Sequence, residues 1–284
     1  MASQIFSFLG ETVSNAATAL VIPTATNIVV AITPLTISGL TIYFMLTGYQ
    51  IMTGAMQEFV YSFLVRSARI VFITMMGLNI TTYGTYVIGF FEGFESGLAS
   101  VLSLGESDAA NIYVTLDNSF NSGLDAVDLC WQNASSAGIS SMGSALGWLL
   151  SGVLVGIGTL IVTAIGGAMV IFAKFGLAIL FALGPLFFVA LMFPLTNKFF
   201  DLWLSQVMNY IVTILIVAII MSFAMLCYNA VIGAADFTGA SGQNPGSSAW
   251  QILLVTIVLG YMIKRSTEIA SGLSGGVGLA ALGV

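Results

Sequence analysis

The sequence predicts an all-α, polytopic transmembrane protein, and three observations carry that prediction. The 6 basic and 12 acidic residues among 284 amount to 6% charge, where a soluble domain carries about a quarter. Hydrophobic residues make up 58% and mean hydropathy is +1.04. The few charges leave the stretches 12–57, 70–91, 129–173, 175–197, 202–235 and 237–263 with none. Several of these reach or exceed the ~20 apolar residues that cross a bilayer as a helix. In lipid every backbone N–H and C=O must be satisfied within the segment, so such stretches are helices. In water the same apolar surface would drive association.

Composition also excludes several chemistries. There is no His, the side chain best suited to proton shuttling and metal ligation near neutral pH. Cys130 and Cys227 lack metal-ligand spacing and read as two unpaired thiols. A net charge of -6 offers no basic surface for holding nucleic acid. Lys174 follows Ala173, Lys198 follows Asn197 and Lys264 follows Ile263, so no Gly-Lys-Ser/Thr of a Walker A ATPase occurs. The carboxylates fall in loops or near span ends, which argues against an ion-coupled transporter with ionisable groups at mid-membrane. No catalytic, cofactor-binding or metal-binding residue is expected, and no enzyme.

Residues 1–26 place Ile5, Leu9, Val13, Ala16 and Leu20 at helical spacing with Glu11 off that line. With no positive n-region ahead of an apolar core, this reads as a periplasmic amphipathic helix and not a signal peptide. Residues 27–91 form a first transmembrane pair. One span runs Asn27–Met56 with Pro34 inside it; Glu58, Arg66 and Arg69 follow, then a second span, Ile70–Phe91. Asn79, Thr81, Thr82 and Tyr83 make one side of that second span too polar for lipid, so it packs on protein.

Residues 92–146 hold Glu92, Glu95, Glu106, Asp108, Asp117, Asp125 and Asp128, with no Lys or Arg. Basic residues are retained in the cytoplasm, so this reads as a translocated, periplasmic loop. Inside it Ile112, Leu116, Phe120, Leu124, Val127 and Trp131 recur at spacings of three and four, with Asp117, Asp125 and Asp128 off the stripe. Such a helix rests on the bilayer or on its own domain, or docks a periplasmic partner.

Residues 147–265 form the transmembrane core, with apolar runs at Gly147–Ala173, Phe175–Leu195, Val207–Ala234 and Trp250–Ile263. The pairs Gly143/Gly147 and Gly152/Gly156, with Gly89, Gly93 and Gly97, set small residues four apart, where helix backbones approach closely in lipid. If every run crosses, there are six spans, and Lys198, Lys264 and Arg265 lie outside. If Phe175–Leu195 instead turns back at Gly184-Pro185, all six basic residues are cytoplasmic. The positive-inside rule favours that second topology. It has five spans plus a re-entrant segment, a periplasmic N-terminus, and a cytoplasmic C-terminus carrying the small-residue tail 266–284.

The segment 183–210, LGPLFFVALMFPLTNKFFDLWLSQVMNY, carries a family signature. Its Gly184-Pro185-Leu186, Phe193-Pro194, Phe199-Phe200, Trp203 and Asn209-Tyr210, with the tail Ile269–Leu279, resemble the TrbL family. That family is the polytopic inner-membrane subunit of type IV secretion and conjugation systems, equivalent to the sixth product of the VirB operon. Read as residues alone, Phe199, Phe200 and Trp203 lie on one face of an interfacial helix between Lys198 and Asp201, anchoring at headgroup level. Asn209, near a span end, is placed to bond across helices.

The resemblance implies an inner-membrane channel and assembly subunit that helps translocate DNA–protein or effector substrates and seats a pilus. The alternative is a platform that organises the pilus and conducts nothing; an ion-coupled secondary transporter ranks below both. Expected partners are membrane lipid and, by resemblance, the minor pilin, the pilus subunit, a bitopic inner-membrane scaffold and the secretion ATPases. Nucleic acid enters only as a transiting substrate. Small-residue helix faces suit a homo-oligomeric ring, and the family's helical pilus points to fivefold.

Overall fold

The computed structural model describes residues 4–53, 59–102, 112–136, 142–193, 196–234 and 245–273, and every regular element among them is helical. In order these are α1 (Ile5–Met52), α2 (Phe59–Gly77), α3 (Ile80–Thr82), a π-helical turn (Tyr83–Ile88), α4 (Gly89–Leu102), α5 (Ile112–Ser136), α6 (Met142–Ala190), α7 (Asn197–Ala234) and α8 (Pro245–Leu273). The contacts divide the described chain into two units. One takes the N-terminus to Val13, Glu95–Lys174 and Asn209–Leu273; the other takes Ser14–Phe94 and Phe175–Met208.

By length and hydropathy α1, α6 and α7 are each able to cross a membrane, and α2 with α3–α4 forms a fourth candidate, bent by 76°. The fifth expected span falls in α8. Two elements are longer than expected. The N-terminal helix and the first span are one 48-residue helix, continuous through Pro23 and Pro34. Apolar residues crowd it on all sides, and Thr26, Thr33, Thr36, Thr41 and Thr47 turn their hydroxyls back to carbonyls four residues earlier. That satisfies these five hydroxyls within the helix. The expected spans Gly147–Ala173 and Phe175–Leu195 are likewise one 49-residue helix, α6.

The second expected span, Ile70–Phe91, is broken instead. Asn79 accepts from the N–H groups of Thr81 and Thr82, capping a new helix start after Gly77. The chain then runs through the π-helical turn, where Tyr83 is fully buried. Of the polar side expected to pack on protein only Tyr83 does; Asn79 and Thr81 are exposed and Thr82 is half-buried.

In the first unit α5 packs into a core with α6, α7 and α8. Ile112, Leu116 and Val127 join Val155, Val162, Val170, Val217, Met221, Leu259 and Ile263. The face of α5 that approaches α6 is built of small residues: Ser119, Gly123, Ala126, Cys130 and Ala134 are all buried. A Cβ at Gly123 would overlap Thr159, and one at Gly152 would lie 2.8 Å from the Trp131 indole nitrogen. The apolar stripe is therefore split. Ile112, Leu116 and Val127 face the core and Phe120 is half-buried, while Leu124 and Trp131 are exposed.

Two polar contacts fasten this unit. Asp117 is buried, although it stands off the predicted stripe. Its carboxylate accepts from the N–H of Phe6 and of Ser7, both at 2.9 Å, and from the Ser7 hydroxyl at 2.6 Å. The first N–H groups of α1 have no partner within their helix, and the positive end of its dipole favours an anion there. α5 thus caps α1. The second contact joins Lys174 Nζ to Glu95 Oε1 at 2.6 Å. Sequence reasoning assigned Glu95 to a periplasmic loop and Lys174 to the cytoplasmic side; the ion pair brings the two together. Glu95 sits inside α4, which continues past the first acid, Glu92, to Leu102.

Candidate functional site

The signature segment builds its site from a defect. Pro185 lies inside α6 and has no N–H, so the carbonyl of Phe181, four residues earlier, loses its helical donor. Tyr83 supplies the replacement: its hydroxyl donates to Phe181 O at 2.7 Å, fully buried. The approach depends on Gly184, because a Cβ there would overlap the Tyr83 hydroxyl. Gly184 opens the slot, Pro185 exposes the acceptor, and Tyr83 fills both needs.

A second donor reaches the same turn. Trp203 on α7 gives its indole N–H to the carbonyl of Leu180 at 2.9 Å and is 2% exposed. Its ring stacks on Phe187 with centroids 6.1 Å apart and meets Phe188 and Phe91 edge-on at 5.7 and 6.2 Å. Phe200 lies 5.4 Å from it. Phe188 in turn meets Tyr83 and Phe200 edge-on at 5.8 and 5.1 Å, and Phe91 stacks on Phe181 at 5.9 Å. Each such pair contributes roughly 0.5–1.5 kcal/mol beyond area burial. The cluster ties α6, α7 and the chain around the π-helical turn together.

Two expectations about the signature are corrected here. Gly184-Pro185 is not the turn of a re-entrant hairpin, since α6 runs through it to Ala190. A turn is needed only where freed backbone groups find no other partner, and Tyr83 provides one. The chain breaks later, at 191–196, where Thr196 donates its hydroxyl to Ala190 O at 2.7 Å and Asn197 its N–H to Phe193 O at 3.1 Å. A proline at 194 disfavours helix at Phe193; Pro194 itself lies outside the described residues. Nor is Trp203 an interfacial anchor. It shares a helix line with the buried Val207, Ile211 and Ile214, whereas Phe199, one turn earlier at the start of α7, is 55% exposed. Phe199 and Phe193 instead edge an apolar groove of about 380 Å³ with Leu186, Phe187 and Ala190.

The remaining predicted residues scatter. Asn209 accepts from the Thr213 hydroxyl, four residues on in its own helix, and no bond from it across helices is seen among the described residues. Tyr210 packs on the core of the first unit and meets Phe172 edge-on at 6.4 Å. Gly152 and Gly156 pack under Trp131 and Val127 of α5, while a Cβ at Gly143 would meet nothing within 4 Å. The Gly147 carbonyl accepts from the Ser151 hydroxyl. Sequence reasoning missed Phe91, Phe181 and Phe188, and it missed Tyr83 as a donor. The local signal was a lone tyrosine in an over-polar span, with nothing to point at residue 181.

Comparison with known proteins agrees with the signature. The family model described as TrbL/VirB6 plasmid conjugal transfer protein matches residues 40–266. The chain is 27% identical over 267 residues to the Type IV secretion system protein VirB6 of Brucella suis biovar 1, covering 93% of this chain and 76% of that one. It is 30% identical over 250 residues to the protein of the same name from Bartonella henselae, covering 86% and 71%. A Bartonella quintana relative is 31% identical over 201 residues, covering 68% and 57%.

Proposed function

Because the chain belongs to the TrbL/VirB6 family and is an inner-membrane, multi-pass subunit of a type IV secretion system, we propose that it is the channel and assembly subunit of that machine. It helps move DNA–protein or effector substrates across the inner membrane and seats the pilus, working as a homo-oligomeric ring with its N-terminus periplasmic. The observation that carries this reading is the TrbL/VirB6 family match over residues 40–266, together with helices long and apolar enough to cross a membrane.

The exposed face of α5, with Leu124, Asp125, Asp128 and Trp131, is the docking surface for the pilin-side partners. Photo-crosslinkers placed at Leu35, an exposed residue of α1, and at Trp131 test the assignment during active transfer. Adducts between Leu35 and transiting substrate are the expected result. Adducts to pilins alone would leave a platform that conducts nothing.

A further inference from the structure

We propose that the groove between α7 and α8 is a binding site for one anionic glycerophospholipid. Ile216, Ile219 and Ile220 form one wall, and Tyr261, Arg265 and Ile269 the other, enclosing about 210 Å³. The walls are apolar apart from Arg265 and the Tyr261 hydroxyl, and Ile219 is 41% exposed. In a membrane the nearest apolar filler is an acyl chain. The rim selects among lipids. Lys264 and Arg265 are adjacent and both exposed, in a chain with only six basic residues.

Arg265 is held in place for this task. Its Nε–H donates to the Tyr261 hydroxyl at 3.0 Å, and its guanidinium carbon lies 5.4 Å from the Tyr261 ring centre. An Nη1 hydrogen goes to Glu268, an exposed neighbour that leaves the rim with one net positive charge. A guanidinium carries five N–H donors in a planar fork suited to phosphate, so two engaged donors do not exhaust it. Its aliphatic stem lines the groove while the head reaches the interface, as long basic side chains do at membrane boundaries. Basic pockets between transmembrane helices favour anionic headgroups for this reason. A second copy packed symmetrically on this face would set Lys264 and Arg265 against equal charges.

Native mass spectrometry of the delipidated full chain tests the site, with equimolar phosphatidylglycerol and phosphatidylcholine as probes. Retention of phosphatidylglycerol over phosphatidylcholine by about tenfold is expected. Lys264→Gln with Arg265→Gln should abolish the preference, Arg265→Lys should keep most of it, and Ile219→Trp, which fills the groove, should lower retention of both lipids. Equal retention of the two lipids by the wild-type chain overturns the proposal, whether or not the glutamine variant folds. So does a preference that survives the double substitution. Disulfide dimers formed through Ile219→Cys at high yield in the membrane would identify a second copy as the occupant and equally overturn it.

Discussion

Tyr83 answers the missing donor of Pro185, and the consequences are testable one atom at a time. Tyr83→Phe keeps the ring against Phe188 but leaves the buried Phe181 carbonyl unpaired. An orphaned buried acceptor costs about 1–3 kcal/mol, so a lower thermal midpoint in detergent is expected with the helical content unchanged. Gly184→Ala crowds the same hydroxyl from the other side. The two substitutions should therefore be non-additive, with Gly184→Ala costing less in the Tyr83→Phe background. Cys130 offers a separate check. Burial raises its thiol from an ordinary 9.0 to about 11, so at pH 8 the thiolate is scarcer than in the unfolded chain by about a hundredfold. Iodoacetamide should alkylate Cys130 slowly in the folded protein and rapidly in denaturant; equal rates would refute its burial against α6.

α5 is the element whose role changed most between sequence and structure. Its helix was legible from the spacing of Ile112, Leu116, Phe120, Leu124, Val127 and Trp131, and α5 spans Ile112–Ser136, running beyond Trp131. The buried face was not, because periodicity ranks large apolar residues while a closely packed helix buries small ones such as Gly123 and Cys130. Asp117 shows the same limit. Nothing local reveals that an acid off the stripe caps a helix 110 residues earlier. The cap predicts that Asp117→Ala costs about 1 kcal/mol and opens the N-terminal turns of α1 to protease, whereas Asp125→Ala, on the exposed face, does neither. Docking on that face predicts that Leu124→Ser with Trp131→Ser lowers piliation and transfer while insertion is retained. Unchanged transfer would remove α5 from the list of partner contacts.

Across the whole molecule the long apolar helices were legible from charge spacing alone, since about 20 uncharged residues have few other homes. What spacing could not provide was partnership. Lys174 stands between two uncharged stretches and Glu95 just past another, and only the fold shows them paired. Their pairing removes Lys174 from the positive-inside count, and the proposed five-span orientation then rests on Arg66, Arg69, Lys198, Lys264 and Arg265. The proposed topology, with α6 as a single span, keeps the proposed sidedness without a re-entrant segment. Lys174→Met should cost about 3 kcal/mol by stranding a buried carboxylate, and exchanging both residues, Glu95→Lys with Lys174→Glu, should recover part of the loss.

The central claim is that Gly184-Pro185 is a docking notch within an unbroken helix. Spin labels on single cysteines at Phe175 and Ala190, in a background lacking Cys130 and Cys227, measure it directly in reconstituted membranes. Fifteen residues of continuous helix separate the two backbones by about 22 Å, and the pulsed-resonance distance should centre near that value. A hairpin turning at Gly184-Pro185 would fold Ala190 back beside α6 and bring the labels to roughly 12 Å, counting about 10 Å between packed helices. That shorter distance would contradict the account.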